Sequence, residues 1–180
     1  SVGDAELRWG MMVDSLAVVM LGVVTSVALA VQVYSLGYLH EERPRHLWYF
    51  AAHSLFAAAM LGLVLADNFL LLYITGELVG LCSYLLIGFW YERDSASEAG
   101  KKAFVVNRIG DFGFLLGIFT MVGALGTVDF AEVFSKAPTL LSAGTATAIA
   151  LLLFLGACGK SAQFPLYVWL PDAMEGPTPV

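Results

Sequence analysis

Charge is what this sequence has least of: 13% of its 180 residues are Asp, Glu, Lys or Arg, against about a quarter in a soluble globular domain. With 59% apolar residues and a mean hydropathy of +0.79, a soluble domain carrying one greasy helix is excluded. No basic face with interleaved aromatics is present, which argues against a nucleic-acid partner. The two cysteines, Cys82 and Cys158, lie in apolar runs without CxxC or metal-ligand spacing and read as small buried side chains. A Gly-rich phosphate loop, a catalytic triad, a zinc ligand set and haem or iron–sulfur ligation are missing too, so the chain is expected to hold no cofactor. Period-two alternation is absent, which disfavours a membrane β-barrel. Ser1–Gly10 lacks the basic start of a signal peptide, no initiating Met is present, and the chain runs out at Gly176–Val180 without a stop. Both ends read as cuts, and the chain as an excerpt of a longer protein.

What remains is a set of long apolar runs. A bilayer core about 30 Å thick needs about 20 apolar helical residues to cross it, and helices satisfy their own backbone groups in lipid. Five spans answer this description, at about 12–39 (A), 47–66 (B), 69–91 (C), 103–125 (D) and 144–169 (E). Asp14 and Ser15 are plausible caps for span A, and Asp67-Asn68 forms the turn between B and C. The polar stretch Glu92–Lys102 connects C to D, and Val128–Phe134 is a short amphipathic helix candidate between D and E. In span E, Gly159, Lys160 and Pro165 interrupt the apolar run, and Pro165 predicts a kink or break of a kind tolerated where backbone lines a cavity. The expected fold is therefore an all-α, polytopic membrane bundle with a broken helix near Lys160–Pro165.

The formal net charge of −6 says little about partners, because the charges sit in short connections. Their distribution does speak to orientation. Arg43, Arg45, Arg93, Lys101 and Lys102 fall in the A–B and C–D loops, whereas Arg8 and Lys136 fall on the other side. The positive-inside rule then sends the A–B and C–D loops to the cytoplasm.

The few charges inside the spans are the candidate functional residues. Glu77 lies about 12 Å along span C from its start, where a carboxylate needs a partner or a water cavity. A structural, protonated Glu is the plain alternative; Gly76 and Gly80 on its flanks permit close helix approach. Lys160 lies deep in span E beside the expected break, where snorkelling to the headgroups is the plain alternative. A Glu77–Lys160 ion pair that opens and closes is a physical means of loading and releasing a proton. Arg108 and Asp111, three apart on one face of span D, read as a mutually neutralising pair, structural or conducting. Lys102 is most simply a positive-inside anchor, with a pathway role as the alternative. His53 reads as a packing residue. Asp14, Asp67 and Asp172 sit near span ends, where caps and interfacial water account for them.

At this level of detail the motifs resemble a known family. NFLLLY at 68–73 with GELVGLCSYLLIGF at 76–89 is similar to the fifth helix of the L subunit of respiratory complex I. KAFVVNRIGD at 102–111 is similar to the start of its sixth helix, and GKSAQFPL at 159–166 with WLPDAMEGPTPV at 169–180 to its broken seventh. The resemblance covers essentially the whole chain, corresponding to about helices three to seven of an antiporter-like subunit. It implies that Glu77 is the acidic partner and Lys160 the proton-carrying lysine of a first half-channel, with Arg108 and Asp111 at charged positions of the same motif. It further implies a proton-translocating subunit of NADH:quinone oxidoreductase, multi-pass in a bacterial cell membrane and packed against other membrane subunits. NADH, flavin, iron–sulfur clusters and quinone would be bound by those other subunits, and a downstream relay would lie beyond Val180. Gly76 departs from the Trp that many members carry there, which implies looser packing beside Glu77. The alternative is the large subunit of an Mrp-type sodium/proton antiporter, which shares the fold and the Glu and Lys positions; the contexts of Asp111 and Glu175 read closer to the complex I subunit. A purely structural scaffold leaves Glu77 and Lys160 at membrane depth unexplained.

Overall fold

The computed structural model describes residues 9–179, which form six α-helices, two short 3₁₀ segments and, among the described residues, no strand. The helices are α1 (Ser15–Tyr38), α2 (His46–Val64), α3 (Phe69–Ile87), α4 (Asp94–Leu125), α5 (Phe130–Leu140) and α6 (Ala143–Lys160). All but α5 are long and apolar enough to cross a membrane. Arg8, one of the residues used for orientation, lies outside the described residues.

Local chemistry sets the helix starts. Asp14 caps α1 by accepting from the Ala17 N–H at 2.7 Å, Asn68 caps α3 through the Leu71 N–H at 2.8 Å, and Ser142 caps α6 through Thr145 at 3.1 Å. Helix α4 ends on Gly126, whose φ of 70° is the left-handed conformation that closes many helices. Span D is longer than hydropathy indicates. Its helix starts at Asp94, because the polar stretch read as a connection is rich in Ala, Glu and Lys and carries the helix beyond the apolar zone. Span E is shorter. Helix α6 stops at Lys160, Ala162 turns into the left-handed region with φ 50°, and residues 164–171 are turns rather than a second half-helix. The amphipathic candidate lies slightly later than expected, as α5.

At one end of the bundle the α2–α3 and α4–α5 connections are stitched by backbone, Phe69 N–H to Val128 O at 3.0 Å and Phe130 N–H to Asp67 O at 3.1 Å. An apolar cluster of Met121, Leu125, Val133 and Ile149 packs beneath. At the other end Leu39, Tyr49, Ala52, Leu86 and Phe89 form a second cluster. Glu77 of α3 and Arg108 and Asp111 of α4 therefore fall between two apolar layers. His53 is buried, with Gln32 Nε2 3.4 Å from its Nδ1 and Tyr49 stacked on its ring, a packed residue as expected. Cys82 and Cys158 are free and buried.

The most extensive helix interface is between α4 and α6, and it is closed by glycine. A Cβ at Gly156 would lie 2.7 Å from Phe114 Cβ, and one at Gly110 would lie 3.1 Å from the Leu155 carbonyl oxygen. Small residues are the means by which membrane helices gain contact, since lipid is as apolar as leucine. Gly156→Ala should therefore destabilise the full-length protein by about 1–3 kcal/mol. Gly123→Ala, where nothing lies within 4 Å of the new Cβ, should be neutral or stabilising by up to about 1 kcal/mol through helix propensity. Thermal unfolding of the two variants side by side in one detergent checks the contrast.

Candidate functional site

Three helices bring four charges together. Glu77 stands midway along α3, Arg108 and Asp111 in α4, and Lys160 closes α6. Glu77 Oε2 pairs with Arg108 Nη1. Lys160 Nζ donates to Asp111 Oδ2 at 3.0 Å. This corrects the sequence reading twice. Glu77 is not paired with Lys160, and Arg108 and Asp111 do not neutralise each other. Residues three apart on a helix share a face, but here that face meets two neighbours, and each charge is taken by the helix opposite it.

The pairs differ in environment. Asp111 is almost sealed, with its side chain 8% exposed, whereas the Lys160 side chain retains 30%. The Arg108 guanidinium also lies over the Phe104 ring, 4.5 Å from its centre. Glu77 keeps its second oxygen, Oε1, buried and without a hydrogen-bond partner. The cluster sums to zero formal charge, which lets it persist in a low-dielectric site. Such pairs add little stability over apolar packing, so their presence at membrane depth points to use.

Gly80 is the residue that admits the lysine. A Cβ there would stand 3.0 Å from Lys160 Nζ and 3.9 Å from Arg108 Nη2. Both cations thus converge on the α3 turn that follows Glu77. Gly76, by contrast, has only Leu63 Cδ1, at 3.9 Å, within reach of an added Cβ. It borders a cavity of about 190 Å³ whose walls include Tyr73, Asp111 and Lys160. The looser packing expected beside Glu77 is there, and it opens onto the Lys160–Asp111 pair.

The end of α6 explains how a helix can stop at this depth. Its last carbonyls need partners. Ser161 N–H donates to Ala157 O at 2.9 Å, Gln163 N–H to Cys158 O at 3.0 Å, and the Trp169 indole to Gly159 O at 3.1 Å. A cation in the last turn is also favoured by the helix dipole. The chain then returns to the start of α4, where Lys102 pairs with Asp172 at 2.6 Å and Ser95 donates to Glu175 at 3.0 Å. Lys102 is therefore one half of an ion pair rather than a lone anchor, and Asp172 is its partner rather than a cap. Neither residue belongs to the four-charge cluster. The Asp111–Lys160 and Glu77–Arg108 pairings were not legible in sequence, since only helix rotation decides which charge faces which.

Double-mutant cycles on thermal stability check these partners. Asp111→Asn with Lys160→Met should show a coupling of about 1–3 kcal/mol, larger than that of Arg108→Gln with Asp111→Asn. A stronger coupling within α4 than across to α6 would contradict the arrangement.

Comparison with known proteins follows from this geometry. Residues 66–180 match the family described as "NADH:quinone oxidoreductase/Mrp antiporter, TM", and residues 1–50 match "NADH-Ubiquinone oxidoreductase (complex I), chain 5 N-terminus". Over its whole length the chain is 51% identical to NAD(P)H-quinone oxidoreductase chain 5 of a Synechocystis strain. It is 52% identical to the chloroplastic subunit 5 of Anthoceros angustus. It spans about a quarter of the length of these curated relatives, 27% and 25% respectively. Among solved structures, the Mrp complex from a Dietzia strain superposes with a TM-score of 0.87 at 34% identity, covering 96% of this chain and 19% of that one. A polytopic bundle with paired charges at membrane depth, matched over more than half its length by that family, belongs to the NADH:quinone oxidoreductase/Mrp antiporter transmembrane family.

Proposed function

We propose that the chain forms part of the proton-translocating subunit 5 of an NADH:quinone oxidoreductase, with the four-charge cluster as its proton-handling site. The reading rests on one observation above all: Lys160, at the broken end of α6, is ion-paired with a nearly sealed Asp111 and borders a cavity. The high identity to named chain 5 relatives supports the complex I assignment over the antiporter. The nicotinamide, flavin, iron–sulfur and quinone chemistry belongs in this reading to other subunits, against which the bundle packs in a bacterial cell membrane. The chain's own part is to hold and release a proton at Lys160 Nζ.

Partner exchange is the mechanism we favour. Glu77 has a buried oxygen without a partner, and Lys160 Nζ rests against Gly80 in the next turn of α3. A small sliding of α6 along α3 and α4 would carry the ammonium between Asp111 and Glu77 while Arg108 follows the carboxylate left behind. While Nζ keeps its proton, the exchange leaves the cluster neutral and both carboxylates paired; releasing that proton takes the cluster to a net charge of −1, which water must screen until the amine is loaded again. The proton affinity of Nζ depends on how near a carboxylate stands. A movement that changes the Lys160–Asp111 separation therefore alters proton occupancy, and the amine is loaded or emptied through water.

The Mrp-type sodium/proton antiporter is the second reading, favoured by the superposition on an Mrp complex. The experiment is to place Lys160→Met in the full-length protein and assay sealed vesicles. NADH-driven acidification should fall to about a tenth or less while NADH oxidation by an artificial acceptor is retained. Normal pumping in that variant sinks the lysine assignment, and sodium-dependent transport without NADH favours the antiporter.

A further inference from the structure

A larger cavity, distinct from the one beside Lys160, lies at the end of the bundle where α2 and α4 begin and α3 finishes; its wall residue Tyr84 packs on Phe104, the ring that Arg108 covers. The cavity measures about 480 Å³. Trp48, Tyr84 and Leu85 give it apolar walls, and Tyr91 and Ser97 complete them. Into it reaches Arg45, whose Nη1 donates to the Phe89 carbonyl at 3.2 Å and whose Nη2 pairs with Glu92. Its guanidinium carbon also stands 5.2 Å from the centre of the Tyr91 ring. The Arg45 side chain is 26% exposed, and two of its five N–H groups suffice for these contacts, so donors remain for a ligand.

The position of this cavity along the helices restricts what can occupy it. The apolar helices α1 and α3 end here and α2 begins here, while the first, polar turns of α4 run past them, which puts the cavity at the edge of the apolar zone. Trp and Tyr concentrate at that level because their rings sit in the headgroup zone with an apolar body and a polar edge. Trp48 is 46% exposed and Tyr91 67%, although both are large rings. A polar metabolite would leave the aromatic walls unused, and a plain hydrocarbon chain would leave the guanidinium unused. A molecule with a phosphate at one end and an alkyl chain at the other uses both, the phosphate accepting from the fork of Arg45.

We propose that this cavity is a phospholipid site, in which Arg45 holds the phosphate and one acyl chain lies against Trp48, Tyr84 and Leu85. Glu92 is the competitor. Its own backbone N–H, and then Arg45, hold the carboxyl below the usual carboxylate range, so it is ionised and occupies part of the guanidinium. It is also 51% exposed and free to swing aside. The site therefore has an internal carboxylate that competes with a lipid phosphate for the guanidinium.

The test uses the full-length protein, delipidated in detergent, with phosphatidylglycerol carrying a photoreactive diazirine in one acyl chain. Labelling should fall on the peptides that contain Trp48 and Tyr84 and should be competed by dioleoylphosphatidylglycerol. Dioleoylglycerol, with the same chains and no phosphate, should compete about tenfold less well. Arg45→Gln should weaken competition about tenfold, Ser97→Trp should abolish labelling by filling the cavity, and Glu92→Gln should strengthen it several-fold. The last gain cannot come from misfolding, which guards against variants that merely destabilise the bundle. Labelling elsewhere, equal competition by dioleoylglycerol, or an unchanged or weaker response in Glu92→Gln overturns the proposal.

Discussion

In the hydrocarbon core a lysine ammonium or a carboxylate must find an opposite charge or water within a few ångströms, and in this bundle three helices meet where that demand is met. Glu77, Arg108, Asp111 and Lys160 cost far more apart than together. Their convergence constrains the rest. Helices α4 and α6 must approach closely enough for Lys160 to reach Asp111, which is why glycines line that interface. The α3 turn after Glu77 must offer no side chain, which is why Gly80 stands under the lysine. Apolar clusters at both ends keep the layer between them dry enough for the pairs to matter.

Helix α4 is the spine of this arrangement. Along one rod it presents Lys102 to Asp172, Arg108 to Glu77 and Asp111 to Lys160. The segment after Lys160 is thus held at two heights, by its own helix end and by the start of α4. Because its turns take up the last carbonyls of α6, the break costs little backbone hydrogen bonding. A lysine at such a break can move without unravelling a full helical turn, which suits the partner exchange we propose for Lys160. Arg45 solves a different problem at the membrane surface, where one guanidinium ties the start of α2 to the end of α3 and leaves donors facing a cavity.

Much of this was legible in the sequence. Hydropathy located all five spans, Asp14 marked the start of α1, Asp67-Asn68 marked the turn before α3, and Gly159, Lys160 and Pro165 marked the break. The spans erred where hydropathy and helix formation part company. Residues 94–102 are polar but helical, and residues 164–169 are apolar but not. The four charges that meet inside the bundle were likewise singled out, because charge is so rare in the apolar runs that each instance stands out; Lys102, singled out with them, lies outside the cluster.

Pairing was not. The sequence suggested Glu77 with Lys160 and Arg108 with Asp111, from family resemblance and from spacing along one helix. Spacing reports only which residues share a face. The partner each residue meets depends on how α3, α4 and α6 are rotated and shifted against one another. That is set by close contacts such as Gly110 on Leu155 and Gly156 on Phe114, whose summed packing no linear pattern encodes. The sequence by itself thus determined that charges must meet inside the membrane, since a lone one there is too costly. Only the tertiary structure decided that Lys160 meets Asp111 and Glu77 meets Arg108, because helix packing chooses among pairings that are electrostatically alike.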